Sequence, residues 1–117
     1  MKEPAAAEVS RVFRALAVEK RRDIVRLLAG RTLCVGALSR RLDVSAGAVS
    51  QHLRILRDAG LVEADRQGYF VHYGLAPDAD EKCRAVLASL FAGGAGARKG
   101  GGGGGGKACR KQATKRK

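Results

Sequence analysis

A chain of 117 residues suffices for one small domain with its own core. It carries 23 Lys and Arg against 11 Asp and Glu, a net charge of +12, which suits a polyanionic partner. No apolar run approaches the roughly 18 residues of a transmembrane helix. The N-terminus lacks a secretory apolar core, and three scattered cysteines form no disulfide framework, so a cytoplasmic protein with reduced thiols is expected.

The first helix is expected over residues 5–17, with Val9, Val12, Phe13, Leu16 and Ala17 on one apolar stripe. A second, over 19–29, carries Ile24, Val25, Leu27 and Leu28 and is closed by Gly30. The third, over 33–42, turns Val35, Leu38 and Leu42 inward and leaves Arg40 and Arg41 outside. Residues 46–58 form a fourth helix with clear punctuation. Ser45 is its N-cap, Val44 and Val49 form a hydrophobic staple, and Gly60 suits a left-handed C-cap. Val49, Leu53 and Leu56 make its apolar face. Gly47, Ser50, Gln51 and Arg54 lie opposite, small or of the types that read base edges.

An ordinary amphipathic surface helix looks similar, and the residues after Gly60 separate the two cases. Residues 61–64 and 69–75 read as strands about a turn at 65–68. Val62 and Ala64 alternate with charged residues, as do Tyr69, Val71 and Tyr73 with their neighbours. Helix, turn, helix and hairpin make a winged helix-turn-helix, a mainly α fold with a small β-hairpin. In such a fold the fourth helix enters the major groove and the wing lies beside it. Arg40 and Arg41 then meet phosphates, Ser45 and His52 flank the reading face, and Arg66 reaches the backbone or minor groove.

Pro77 to Glu81 open a last helix, with Asp78 and Glu81 imitating a capping box. Its stripe is Cys83, Val86, Leu87, Leu90 and Phe91, which leaves the domain with apolar surface to spare. Residues 1–92 are the expected domain. They hold all 11 acidic residues and 15 basic ones, a balance of +4. Residues 93–117 hold the other 8 basic residues, no acid, and seven consecutive glycines, Gly100 to Gly106. That composition predicts a flexible basic tail.

The segments AVSQHLRILRDAGLV and VHYGL resemble the arsenic-repressor (ArsR-type) family of bacterial winged-helix metalloregulators. ALAVEKRRDIVRLL resembles that family's first helix junction, and TLCVGAL its thiolate metal-binding motif. The resemblance spans about residues 8–92. It implies a repressor that binds double-stranded operator DNA, a homodimer built through the terminal helices, and an inducer that releases it. The family usually has Asp-Pro where Val18-Glu19 stand here.

The resemblance points to Cys34 as a ligand for trivalent arsenic, trivalent antimony or another soft metal. Gly36 and Ser39 stand where the motif has its other cysteines, so further thiols are needed. Cys109 is one candidate. A flexible run of 15 residues from Gly94 to Ala108 would reach about 20–23 Å. Cys83, on an apolar stripe, is the other. A lone helix cysteine is also commonly a small core residue. His52 and His72 form no ligand pair, and no catalytic constellation or phosphate loop is present. Two other readings remain open: a repressor of this fold that senses oxidants or sulfane sulfur, and a winged-helix module for nonspecific nucleic-acid binding or protein interaction.

Overall fold

The computed structural model describes residues 4–92. In chain order its elements are α1 (Ala6–Leu16), α2 (Glu19–Leu27), α3 (Val35–Leu42), α4 (Ala46–Asp58), β1 (Val62–Gln67) and β2 (Phe70–Leu75). Residues 79–92 are helical and are labelled α5. The chain divides into a unit of Met1–Val86 and a second unit starting at Leu87. The expected basic tail lies outside the described residues, and none of the described helices is long and apolar enough to cross a membrane.

The first unit is packed around α4. Its inward face, Val49, Leu53 and Leu56, is sealed from solvent against Val12 and Ala15 of α1, Ile24 of α2 and Leu38 of α3. Each such leucine gains roughly 1.5–3 kcal/mol by leaving water. Both ends of α4 are fixed locally. Ser45 Oγ accepts from the Ala48 N–H at 3.1 Å. At the other end Gly60 adopts φ +79°. The Gly60 N–H donates to Arg57 O at 2.8 Å and the Leu61 N–H to Leu56 O at 3.0 Å, a complete Schellman closure.

The turn before α4 is held as firmly. Asp43 ends α3 in the left-handed region at φ +57°. Ser39 Oγ donates to Val44 O at 2.5 Å across the turn. Basic residues of α2 satisfy carbonyls at neighbouring helix C-termini, where the helix dipole favours cations. Arg21 donates to Arg14 O and Arg22 to Leu16 O, each at 2.7 Å, and Lys20 to Leu42 O at 3.4 Å. At the Val18-Glu19 junction Val18 is extended and gives α2 no side-chain cap.

The hairpin is tighter than expected. β1 runs on to Gln67, and the connection is only Gly68-Tyr69, with Gln67 paired to Phe70. Gly68 at φ +68° permits a two-residue turn that follows the strand twist. Arg66 is thus a strand residue opposite Val71, not a turn residue. The expected inward alternation also fails toward the tip. Ala64 is exposed and Tyr69 is 98% exposed, because the core supports only the base of the hairpin. A third segment joins at that base. Leu33 pairs with Tyr73, its N–H donating at 3.0 Å and its carbonyl accepting at 2.8 Å. Gly74 sits close beside this pairing, where a Cβ would stand 3.0 Å from Thr32 Cγ2 and the threonine would have to give way.

On the two terminal helices only part of each apolar stripe is buried. Phe13 is 39% exposed, and Ala17 is exposed as well. Val12 and Ala15 form the centre of the buried face of α1, leaving Phe13 at its edge and Ala17 beyond the helix end. Val86 of α5 is buried and Cys83 packs against the core, whereas Leu87, Leu90 and Phe91 are 48%, 50% and 72% exposed. Lys82 pairs with Glu8 at 3.1 Å, joining the start of α5 to α1.

Candidate nucleic-acid interface

α4 presents two opposed faces. Its core side locks the helix axis, while Gly47, Ser50, Gln51 and Arg54 are exposed on the other side. Ser45 lies at the N-terminal edge of that face, its hydroxyl oxygen accepting the cap bond and its O–H proton left to donate. Arg40 and Arg41 are exposed in the last turn of α3, just before the turn into α4. Arg66 projects from β1, exposed.

His52 is placed differently from its expected role as a flank of the reading face. It is half-buried, and its Nδ1 accepts from Arg21 Nε at 3.3 Å. Burial, and secondarily the Arg21 guanidinium, hold its pKa below the ordinary 6.5. Neutral imidazole keeps the acceptor that joins α2 to α4. His72 sits across the hairpin from Asp65, with its Nδ1 buried and unpartnered among the described residues.

Residues that the sequence did not single out complete the surface. An open cleft of about 610 Å³ separates α4 from the hairpin and is lined by Ser50, Leu53, Arg54, Arg57, Asp58 and Tyr73. Arg57 follows Arg54 by three positions, so helical spacing was signal enough to find it. Tyr73 was not legible in that way, because its position depends on the Leu33 pairing forty residues earlier.

Cys34 and Cys83, the two described thiols, differ in setting. Cys34 is the N-cap residue of α3 rather than a residue of its first turn, and its side chain makes no capping bond. A Cβ on Gly36 would lie 4.0 Å from Cys34 Sγ and 3.5 Å from the Arg40 guanidinium. A second thiol at position 36 would therefore be a near neighbour, but glycine supplies none. Burial first, then the Asp80 carboxylate, pushes the Cys83 thiol up, with Lys82 opposing. That makes Cys83 a poor thiolate at neutral pH. Among the described residues no three of His, Cys, Asp and Glu are grouped closely enough to hold a metal ion. Cys109 lies outside the described residues.

Comparison with known proteins agrees with this architecture. Residues 19–64, from α2 into β1, match the sequence model of the family described as "Bacterial regulatory protein, arsR family". The chain is 33% identical over 67 residues to the transcriptional repressor SdpR of Bacillus subtilis, covering 57% of this chain and 74% of that protein. It is 45% identical over 67 residues to the arsenical resistance operon repressor of Escherichia coli, covering 56% of this chain and 57% of that repressor. Among solved structures, HlyU from Vibrio cholerae superposes with a TM-score of 0.60 at 34% identity, covering 77% of this chain and 97% of HlyU. The winged helix-turn-helix domain Mb0332 from Mycobacterium bovis, described as homodimeric and DNA-binding, gives 0.61 at 29% identity over 80% of this chain and 92% of that domain. Relatives matched along most of their length and a family model spanning the helix-turn-helix agree: the chain belongs to the arsR family of bacterial regulatory proteins and has its winged helix-turn-helix fold.

Proposed function

We propose that this protein is a sequence-specific repressor that binds operator DNA as a homodimer and is released by an inducer reacting with its thiols. The observation that carries the DNA reading is α4 itself: a helix locked by a sealed core face, with Gly47, Ser50, Gln51 and Arg54 all exposed opposite. Small and hydrogen-bonding side chains at that spacing suit the major groove. Replacing Gln51 with alanine is expected to relax preference at one base pair. Arg54→Ala is expected to cost about 1–3 kcal/mol on the operator through a lost bidentate base contact. Binding titrations on operator and scrambled duplexes check both. Equal losses on the two duplexes would refute the assignment of α4 as the reading helix.

Dimerisation is supported by apolar side chains left in water. Phe13 on α1 and Leu87, Leu90 and Phe91 on α5 are exposed, and the similar Mb0332 domain is described as homodimeric. Two copies would read half-sites about one helical turn apart. The basic segment 93–117 adds sequence-independent attraction. Its removal is expected to lower affinity for all DNA and to flatten the salt dependence. The change is bounded by a slope of roughly 7 per tail if all eight cations engaged. An unchanged slope would remove the segment from the DNA-binding account.

Cys34 is the sensing residue in this reading, with Cys109 the next thiol. The similar E. coli repressor belongs to an arsenical resistance operon, which favours trivalent arsenic or antimony as inducer. A second reading, thiol oxidation, is favoured by one similar solved structure, described as reduced HlyU from Vibrio cholerae, 35% identical over 74% of this chain and 90% of that one at a TM-score of 0.59.

A further inference from the structure

The cleft between α4 and the hairpin has a chemistry of its own. Leu53 forms an apolar floor, and Ser50, Arg54 and Arg57 rise along one wall at helical spacing. Tyr73 stands on the facing wall, half-buried. Neither Arg54 nor Arg57 takes part in any ion pair or side-chain hydrogen bond among the described residues. Asp58 is the one carboxylate of the lining, against two guanidinium groups. With Arg54 assigned to the bases in the DNA reading, Arg57 and two hydroxyl-bearing side chains make an anion seat, since guanidinium donors match phosphate oxygens in a fixed fork.

The position of the cleft identifies the anion. If α4 lies in the major groove and the hairpin beside it, the phosphodiester strand dividing the grooves must cross the notch between them. We infer that this cleft seats one DNA backbone phosphate per protomer, held by Arg57 with the hydroxyls of Ser50 and Tyr73. The inference rests on the DNA-binding reading above and extends it to two residues with no role there. Arg57 and Tyr73 are positioning residues: they set the height and register of α4 over the bases without reading them. Tyr73 is itself fixed by the backbone pair with Leu33, so the seat has a rigid wall on each side.

Arg57→Gln, Arg57→Lys and Tyr73→Phe, each in the full chain, test this on operator and random duplexes from low to moderate salt. Arg57 is exposed and Tyr73→Phe keeps the ring, so all three variants are expected to fold, which their unfolding midpoints check. Arg57→Gln is expected to weaken both duplexes by the same factor and to lower the salt slope by about 0.9 per protomer. Arg57→Lys should restore most of the slope, because the charge returns without the fork. Tyr73→Phe should weaken both duplexes equally with the slope unchanged. A loss on the operator alone would make Arg57 a base reader and overturn the inference, as would no change on either duplex. Stabilisation of the wild-type protein by inorganic phosphate, combined with an unaltered DNA slope in Arg57→Gln, would assign the cleft to a free anion and overturn it too. If the wild type binds random and operator DNA alike, sequence-specific repression fails. The seat is still judged separately by the Arg57→Gln slope on random DNA.

Discussion

Leu56→Ala is expected to lower the folding free energy by about 2–5 kcal/mol. Leu56 is fully buried, and its carbonyl receives the Leu61 N–H that closes the end of α4. Leu61, next after the left-handed Gly60, is itself buried, so truncation opens a cavity beneath both the helix end and the start of the hairpin. The core around it draws on several elements, so little of the cavity is expected to close. A total stability of about 5–15 kcal/mol is usual, so this loss is a large share of it. Urea unfolding at one fixed protein concentration measures it, because a dimer's stability depends on concentration. The midpoint should fall with the slope unchanged. A loss below about 1 kcal/mol would mean that α4 is not the centre of the core.

The same core explains why so much of the fold was readable. Ser45 and Gly60 each state a local rule that the structure obeys, Val44 packs against the core that contains Val49, and α4 has the bounds Ala46–Asp58. Local chemistry was enough there because caps and staples act within a turn of the residue that carries them. The hairpin shows the limit. Asp65, Arg66 and Gln67 look like turn residues, yet pairing with β2 draws them into a strand and leaves only Gly68-Tyr69 to turn. The sequence places Gly68 in the turn but does not say that it begins a two-residue connection. Long-range contacts were not legible at all. The Leu33–Tyr73 pair, the Arg21–His52 bond and the cleft around Arg57 join residues far apart in sequence. Those contacts are what turn a set of helices into a surface, and they decide that His52 faces α2 rather than open solvent.

The second large effect concerns Cys34. Cys34→Ser is expected to bind DNA with nearly wild-type affinity and to lose release by arsenite or antimonite, a coupling of roughly 5–150-fold in affinity. Binding should survive because the thiol makes no capping bond and serine is a favoured N-cap residue. Release should fail because of where the residue sits. Cys34 follows Leu33, whose N–H and carbonyl both pair with Tyr73, and it precedes α3, which leads through the Ser39–Val44 bond into α4. A group bound at this thiol therefore acts on the wall of the cleft in one direction and on the turn before the reading helix in the other. Such a ligand shifts the equilibrium only by its differential affinity for the DNA-bound and released conformers. Cys109→Ser should weaken release if that thiol supplies a second bond, whereas Cys83→Ser should change little, since burial keeps its thiol protonated. The measurement is a DNA-binding titration with the metalloid on wild type and the three variants, repeated with an oxidant and then a reductant. Metalloid release that persists in Cys34→Ser would refute Cys34 as the sensor. A wild type indifferent to metalloid but released by oxidant, and restored by reductant, would establish the redox reading in its place.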